Sequence, residues 1–149
     1  MLCLSILGCT PQSSDPKKVL TDILSDKNIN YEILYQKEEN GFYLSLVKEN
    51  EITSLVILKE TEAGYQYFGE SEYENTKCDY GKYVYGDDNT LVIVFSENKN
   101  SYSQISLDYI NISNQNEILS INTDVSHESY ILHSYILPSK YDFQNMNIE

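Results

Sequence analysis

Two histidines and an acid, His127-Glu128 and His133, are the closest this sequence comes to a metalloenzyme motif. A zinc-protease helix needs its two histidines one turn apart on one face, with the glutamate beside the first. Here the second stands six residues on, in a run, Tyr130 to Leu137, that reads as a strand. At about 3.3 Å per residue the two imidazoles then lie about 20 Å apart. Both histidines are read as structural. The turn-like "YGDDNT" places Asp87, Asp88 and Asn89 together, but a calcium loop alternates its ligands over about twelve residues and closes on a bidentate acid. It is read as a turn. Cys78, in "TKCDYGK", sits between Lys77 and Asp79, whose charges oppose each other, and is read as a small, partly covered side chain. The sequence has no G-x-S-x-G elbow, Gly-rich phosphate loop or Cys-x-x-Cys pair. No catalytic residue, metal ligand or cofactor is assigned.

Tyrosine is the remaining chemistry, with 14 in the chain. It joins a rigid apolar ring to a polar tip, which suits sugar stacking and interface anchoring. "EAGYQYFGESEYE" and "CDYGKYVYG" crowd several together. Tyr65, Tyr67, Tyr73, Tyr83 and Tyr85 are therefore candidates for one accessible face that recognises a protein or a glycan. The competing explanation is that tyrosine is a good strand residue. A pair of carboxylates for glycoside hydrolysis is defined by spatial separation alone. With 23 acids available, a cell-envelope hydrolase without a recognisable motif is the alternative to a binding protein.

The formal net charge is −13 and all ten basic residues are lysine. Without the planar guanidinium fork, and with a field that repels polyanions, nucleic acid is not an expected partner.

The chain opens on an apolar run, "LSILGCT", followed at once by the polar "PQSSD". Ile6-Leu7-Gly8-Cys9 resembles the lipobox of bacterial lipoproteins: an aliphatic residue, a tolerated residue, a small residue, then the cysteine that is lipidated. The resemblance covers only this segment, and the lipoproteins it points to are small ones of unassigned function. It implies cleavage between Gly8 and Cys9, and a diacylglyceryl group on Cys9 holding the protein to the extracytoplasmic face of the cell membrane. Two acyl chains anchor stably where one binds only marginally. No lysine or arginine precedes the apolar run and Met1 lies inside it, so residues 1–8 are read as a truncated signal peptide. Residues 9–14 become the lipidated cysteine and its tether, and residues 15–149 a single globular domain. Cys3 leaves with the signal and Cys9 is consumed by lipid, so Cys78 has no disulfide partner. No later stretch approaches the about 20 consecutive apolar residues of a spanning helix. The expected function is that of a tethered, non-catalytic binding, accessory or immunity- and inhibitor-type protein.

The elements behind these residues follow from periodicity. Asp15 is a good N-cap and Pro16 suits the first helical position. Val19, Leu20, Ile23 and Leu24 then share one face of a helix of about three turns. From Ile29 the period is two: Ile29, Tyr31, Ile33 and Tyr35 alternate with polar residues. Asn40-Gly41 supplies the positive φ of a tight hairpin, and Phe42, Leu44 and Leu46 continue beyond it. Further strands are expected at Leu55 to Lys59, Tyr65 to Phe68, Tyr83 to Tyr85, Leu91 to Phe95, Tyr102 to Tyr109, Ile118 to Val125 and Tyr130 to Leu137. "LVIL" and "LVIVF" are apolar on both faces, as in a sheet covered on both sides. "ESEYENTKCDYGK" reads as a loop. The fold class is α+β to mainly β: one N-terminal helix packed on a twisted antiparallel meander sheet or small sandwich.

Overall fold

The computed structural model describes residues 12–27, 30–73, 78–86 and 89–149. The lipobox-like Ile6-Leu7-Gly8-Cys9, and with them Ile29, Asp87 and Asp88, lie outside the described residues. The described chain is mostly antiparallel β with one short helix. The elements are β1 (Gln12–Ser13), α1 (Pro16–Asp26), β2 (Glu32–Glu39), β3 (Phe42–Glu49), β4 (Ile52–Thr61) and β5 (Gly64–Tyr73). There follow β6 (Asp79–Tyr85), β7 (Asn89–Glu97), β8 (Gln104–Asn111), β9 (Asn114–Asp124), β10 (Tyr130–Leu137) and β11 (Tyr141–Ile148). The contacts gather into two compact units: Met1–Asn50 with Ser54–Glu70, and Glu51–Thr53 with Ser71–Glu149.

In the first unit the sheet order is β1-β5-β4-β3-β2, a meander to which β1 is added at the edge. The helix starts as its sequence requires: the Asp15 carboxylate accepts from the Lys17 N–H at 3.0 Å and Pro16 follows the cap. Val19, Leu20 and Leu24 are buried in one cluster with Tyr43, Val47, Val56, Leu58 and Tyr65. Phe42, Leu44, Leu46, Leu55 and Ile57, which alternate with that set along β3 and β4, are also buried. Both strands are therefore covered on both faces, as "LVIL" suggests. Asn40 and Gly41 have φ of +55° and +77° and join β2 to β3, with Glu39 opposite Phe42.

Gln12 and Ser13, read from sequence as tether, pair with Gln66 and Tyr65 of β5. Gly64 makes this possible. Its φ is +113°, and a Cβ there would stand 2.5 Å from the Ser13 carbonyl oxygen, closer than any side chain tolerates.

The second unit holds two three-stranded sheets, β10-β7-β6 and β11-β8-β9. The hairpins β6-β7 and β8-β9 are sequential, but β10 pairs with β7 and β11 with β8. One cluster of buried residues draws on both sheets, including Val92, Val94 and Ile131 from the first and Ile105, Leu107 and Phe143 from the second. Leu91 to Phe95 are all fully buried. Two expectations are corrected here. The stretch read as a loop from Glu70 to Lys82 is largely strand, since β5 runs to Tyr73 and β6 begins at Asp79. And β11 was not expected. Tyr141, Phe143, Met146 and Ile148 do not keep a period of two, because a bulge between Phe143 and Asn145 adds one residue.

Candidate functional site

One of the five tyrosines expected on an accessible face is turned inward. Tyr65 is only 7% exposed. Alternation in β5 turns it toward the buried cluster, where its ring meets Tyr43 edge-on at 6.1 Å and its hydroxyl donates to Glu38 Oε1 at 2.8 Å. Burial, and then that hydrogen bond to Glu38, push the Tyr65 hydroxyl up to about 12. It is therefore removed from the recognition face. Tyr67 is exposed, and desolvation, with Glu70 beside it, raises its hydroxyl above the usual range. Tyr83 is half-buried, and a Cβ on Gly81 would stand 2.6 Å from its ring, so glycine is what lets the ring lie over the strand. The side chains of Tyr73 and Tyr85 lie outside the described residues.

The other candidates have plain environments. Cys78 is half-buried against the core cluster of the second unit. His133 Nε2 lies 2.8 and 2.9 Å from the two oxygens of Glu128, a satisfied structural histidine, while His127 is exposed in the preceding turn. Among the described residues no three of His, Cys, Asp and Glu gather as a metal would need.

What sequence reasoning missed lies at one end of the second unit, where two irregular segments meet. Residues 98–103 join β7 to β8, and residues 125–129 join β9 to β10. Irregular backbone must still satisfy its N–H and C=O groups, and here one side chain does much of it. Asn98 Nδ2 lies 3.2, 3.2 and 2.9 Å from the carbonyls of Tyr102, Val125 and Glu128. Its Oδ1 accepts from the Tyr102 N–H at 2.8 Å, and its own N–H donates to the Ser129 carbonyl at 2.9 Å. The Val125 N–H donates to the Ser103 carbonyl, also at 2.9 Å. The two segments are thereby stitched into one piece.

Three hollows linked by shared lining residues form a trough at this end of the unit, and Asn98 lines the first of them. The first, of about 370 Å³, is lined by Glu97, Asn98, Lys99, His127, Glu128 and Tyr130 among others. It shares Ser126 with the second, of about 490 Å³, which adds Ser103, Gln104, Asn122 and Asp124. The second shares Gln104 and Asn122 with the third, of about 210 Å³, completed by Ser106, Asn147 and Glu149. Strand register explains the alignment. Ile105 and Leu107 point into the core, so Gln104, Ser106 and Asp108 point outward, and the pairings Ser106↔Asn122 and Asn147↔Ser106 set three polar side chains in one row.

Four acids on this surface, Asp124, Asp108, Glu97 and Glu128, are held by neighbours. Asp124 Oδ1 accepts from the Ser126 N–H at 2.9 Å and its hydroxyl at 2.7 Å, which keeps the carboxyl below its usual range. Asp108 accepts from Ser120 at 2.5 Å and from Asn147 at 3.3 Å. In the first hollow Glu97 faces Lys99 and Glu128 faces His133. Sequence showed only that β8 has a polar face. The brace was not legible, because two of the carbonyls that Asn98 meets are 27 and 30 residues away.

No family model, curated protein or solved structure matches this chain.

Proposed function

We propose that this chain is a membrane-tethered, extracytoplasmic binding protein without catalytic activity, of accessory, inhibitor or immunity type. Cys9 carries the lipid and the trough of the second unit receives a protein or glycan at the cell surface. The observation that carries the binding half is the Asn98 brace, which fixes two irregular segments around hydrogen-bonding hollows. Loops that a rigid scaffold holds in place are where binding residues concentrate. The anchoring half rests on the lipobox-like Ile6-Leu7-Gly8-Cys9. With Gln12 already in the sheet, the lipidated residue would stand within about 10 Å of the folded body, at about 3.5 Å per residue. In finer architectural terms, we read α1 as packed on the first sheet and the second unit as a small sandwich of its two sheets.

The test is metabolic. Expressed in a bacterium from a reading frame that restores a basic leader, the protein should take up labelled palmitate, and Cys9→Ser should abolish the label. Equal labelling of the two forms would contradict the anchor.

A further inference from the structure

We infer that the trough binds a neutral oligosaccharide laid along its length; this rests on reading the trough as the binding site. Its shape is the first argument. Three hollows follow one another through shared residues, Ser126 between the first two and Gln104 with Asn122 between the second and third. The Gln104↔Asp124 and Ser106↔Asn122 rows lie two residues apart along β8, about 7 Å at strand rise, so one extended ligand can meet polar groups of both rows.

Chemistry is the second argument. The walls of the second and third hollows are carboxamides and hydroxyls, from Gln104, Asn122, Asn147, Ser103, Ser106 and Ser126, with the carboxylates of Asp124 and Glu149. Carboxamides and hydroxyls both donate and accept, and carboxylates accept, which matches a ligand dense in hydroxyl groups. Among the described lining residues of these two hollows no lysine is present and no side chain is apolar. An anionic or greasy ligand would find no complement there. Tyr130, among the residues that line the first hollow, adds a half-buried aromatic side chain, the kind of group on which a sugar face stacks. A basic peptide is the rival occupant, but in these two hollows only two carboxylates, Asp124 and Glu149, stand among six neutral carboxamide and hydroxyl side chains.

The full chain carrying Cys9→Ser, labelled with ¹⁵N, is titrated separately with tri-N-acetylglucosamine, maltotriose and cellotriose. The expected result is saturable shifts of the Gln104, Asn122 and Asn147 carboxamide signals with at least one of the three. Asn122→Ala with Asn147→Ala should then weaken that binding at least tenfold while the rest of the spectrum is kept. Saturable binding that this double variant leaves unchanged overturns the proposal. So does the absence of a saturable shift with all three. A parallel titration with trilysine separates the causes. If trilysine alone shifts these carboxamides, and 0.5 M salt abolishes the effect, the ligand class is wrong and the trough remains a docking site. If no probe shifts them, the reading of the trough fails with it.

Discussion

Asn98 ties two irregular segments together through one side chain. Its carboxamide serves three carbonyls and one N–H across two irregular segments, and a net hydrogen bond is worth about 1 kcal/mol. Because water can reach part of this region, Asn98→Ala should cost about 2 kcal/mol of stability, read as a lower midpoint in urea. Asn98→Asp should cost more, since it turns an acceptor-only carboxylate toward three carbonyl oxygens. Two variants within about 0.5 kcal/mol of the parent, a margin typical of neutral surface changes, would show that the brace is not holding. Tyr65 makes a second residue-scale prediction. Its hydroxyl is raised from 10.0 to about 12 in the folded protein, so between those values the folded state holds a proton that the unfolded state has lost. Stability should therefore be unaffected by this group below pH 10 and should fall as pH rises from 10 toward 12. Tyr65→Phe should flatten that fall in alkaline thermal melts; an identical alkaline slope in the variant would contradict the assignment.

At the scale of elements, glycine shows how the same substitution acts through different causes. Gly41, in the β2-β3 turn, has φ of +77° and open space around it, whereas Gly64, with φ of +113°, has the Ser13 backbone against it. Gly41→Ala should cost about 1 kcal/mol for backbone conformation alone. Gly64→Ala should cost about 2–3 kcal/mol and also release β1, because strain and a backbone clash act together. Equal losses in thermal unfolding would refute this account of the β1 edge. The helix and most strands were legible because their causes are local: Asp15-Pro16 starts α1, Asn40-Gly41 turns β2 into β3, and period-two alternation marks β8. The rest fails for physical reasons. β1 is two residues long and exists by pairing with a distant strand. β11 is interrupted by a bulge and is rich in Asn and Asp, residues disfavoured in strands. Tyr65 departs from the expected face because spacing in sequence gives alternation but not which face is covered.

For the whole molecule, the acidic balance of −13 favours solubility and disfavours polyanionic partners, and it leaves the choice of ligand to local chemistry. That chemistry sits on the outward face of β8, β9 and β11 and on the two segments that Asn98 joins. The claim on which the functional account turns is that this end of the second unit is a fixed surface, ready before any partner arrives. Amide hydrogen exchange measures it directly. The Tyr102 N–H, bonded to Asn98 Oδ1, and the Val125 and Glu128 N–H groups, bonded to the carbonyls of Ser103 and Val125, should exchange as slowly as the amides of β7 and β8. They should lose that protection in Asn98→Ala. Exchange of these three amides at the rate of an unstructured chain in the parent protein would contradict the account.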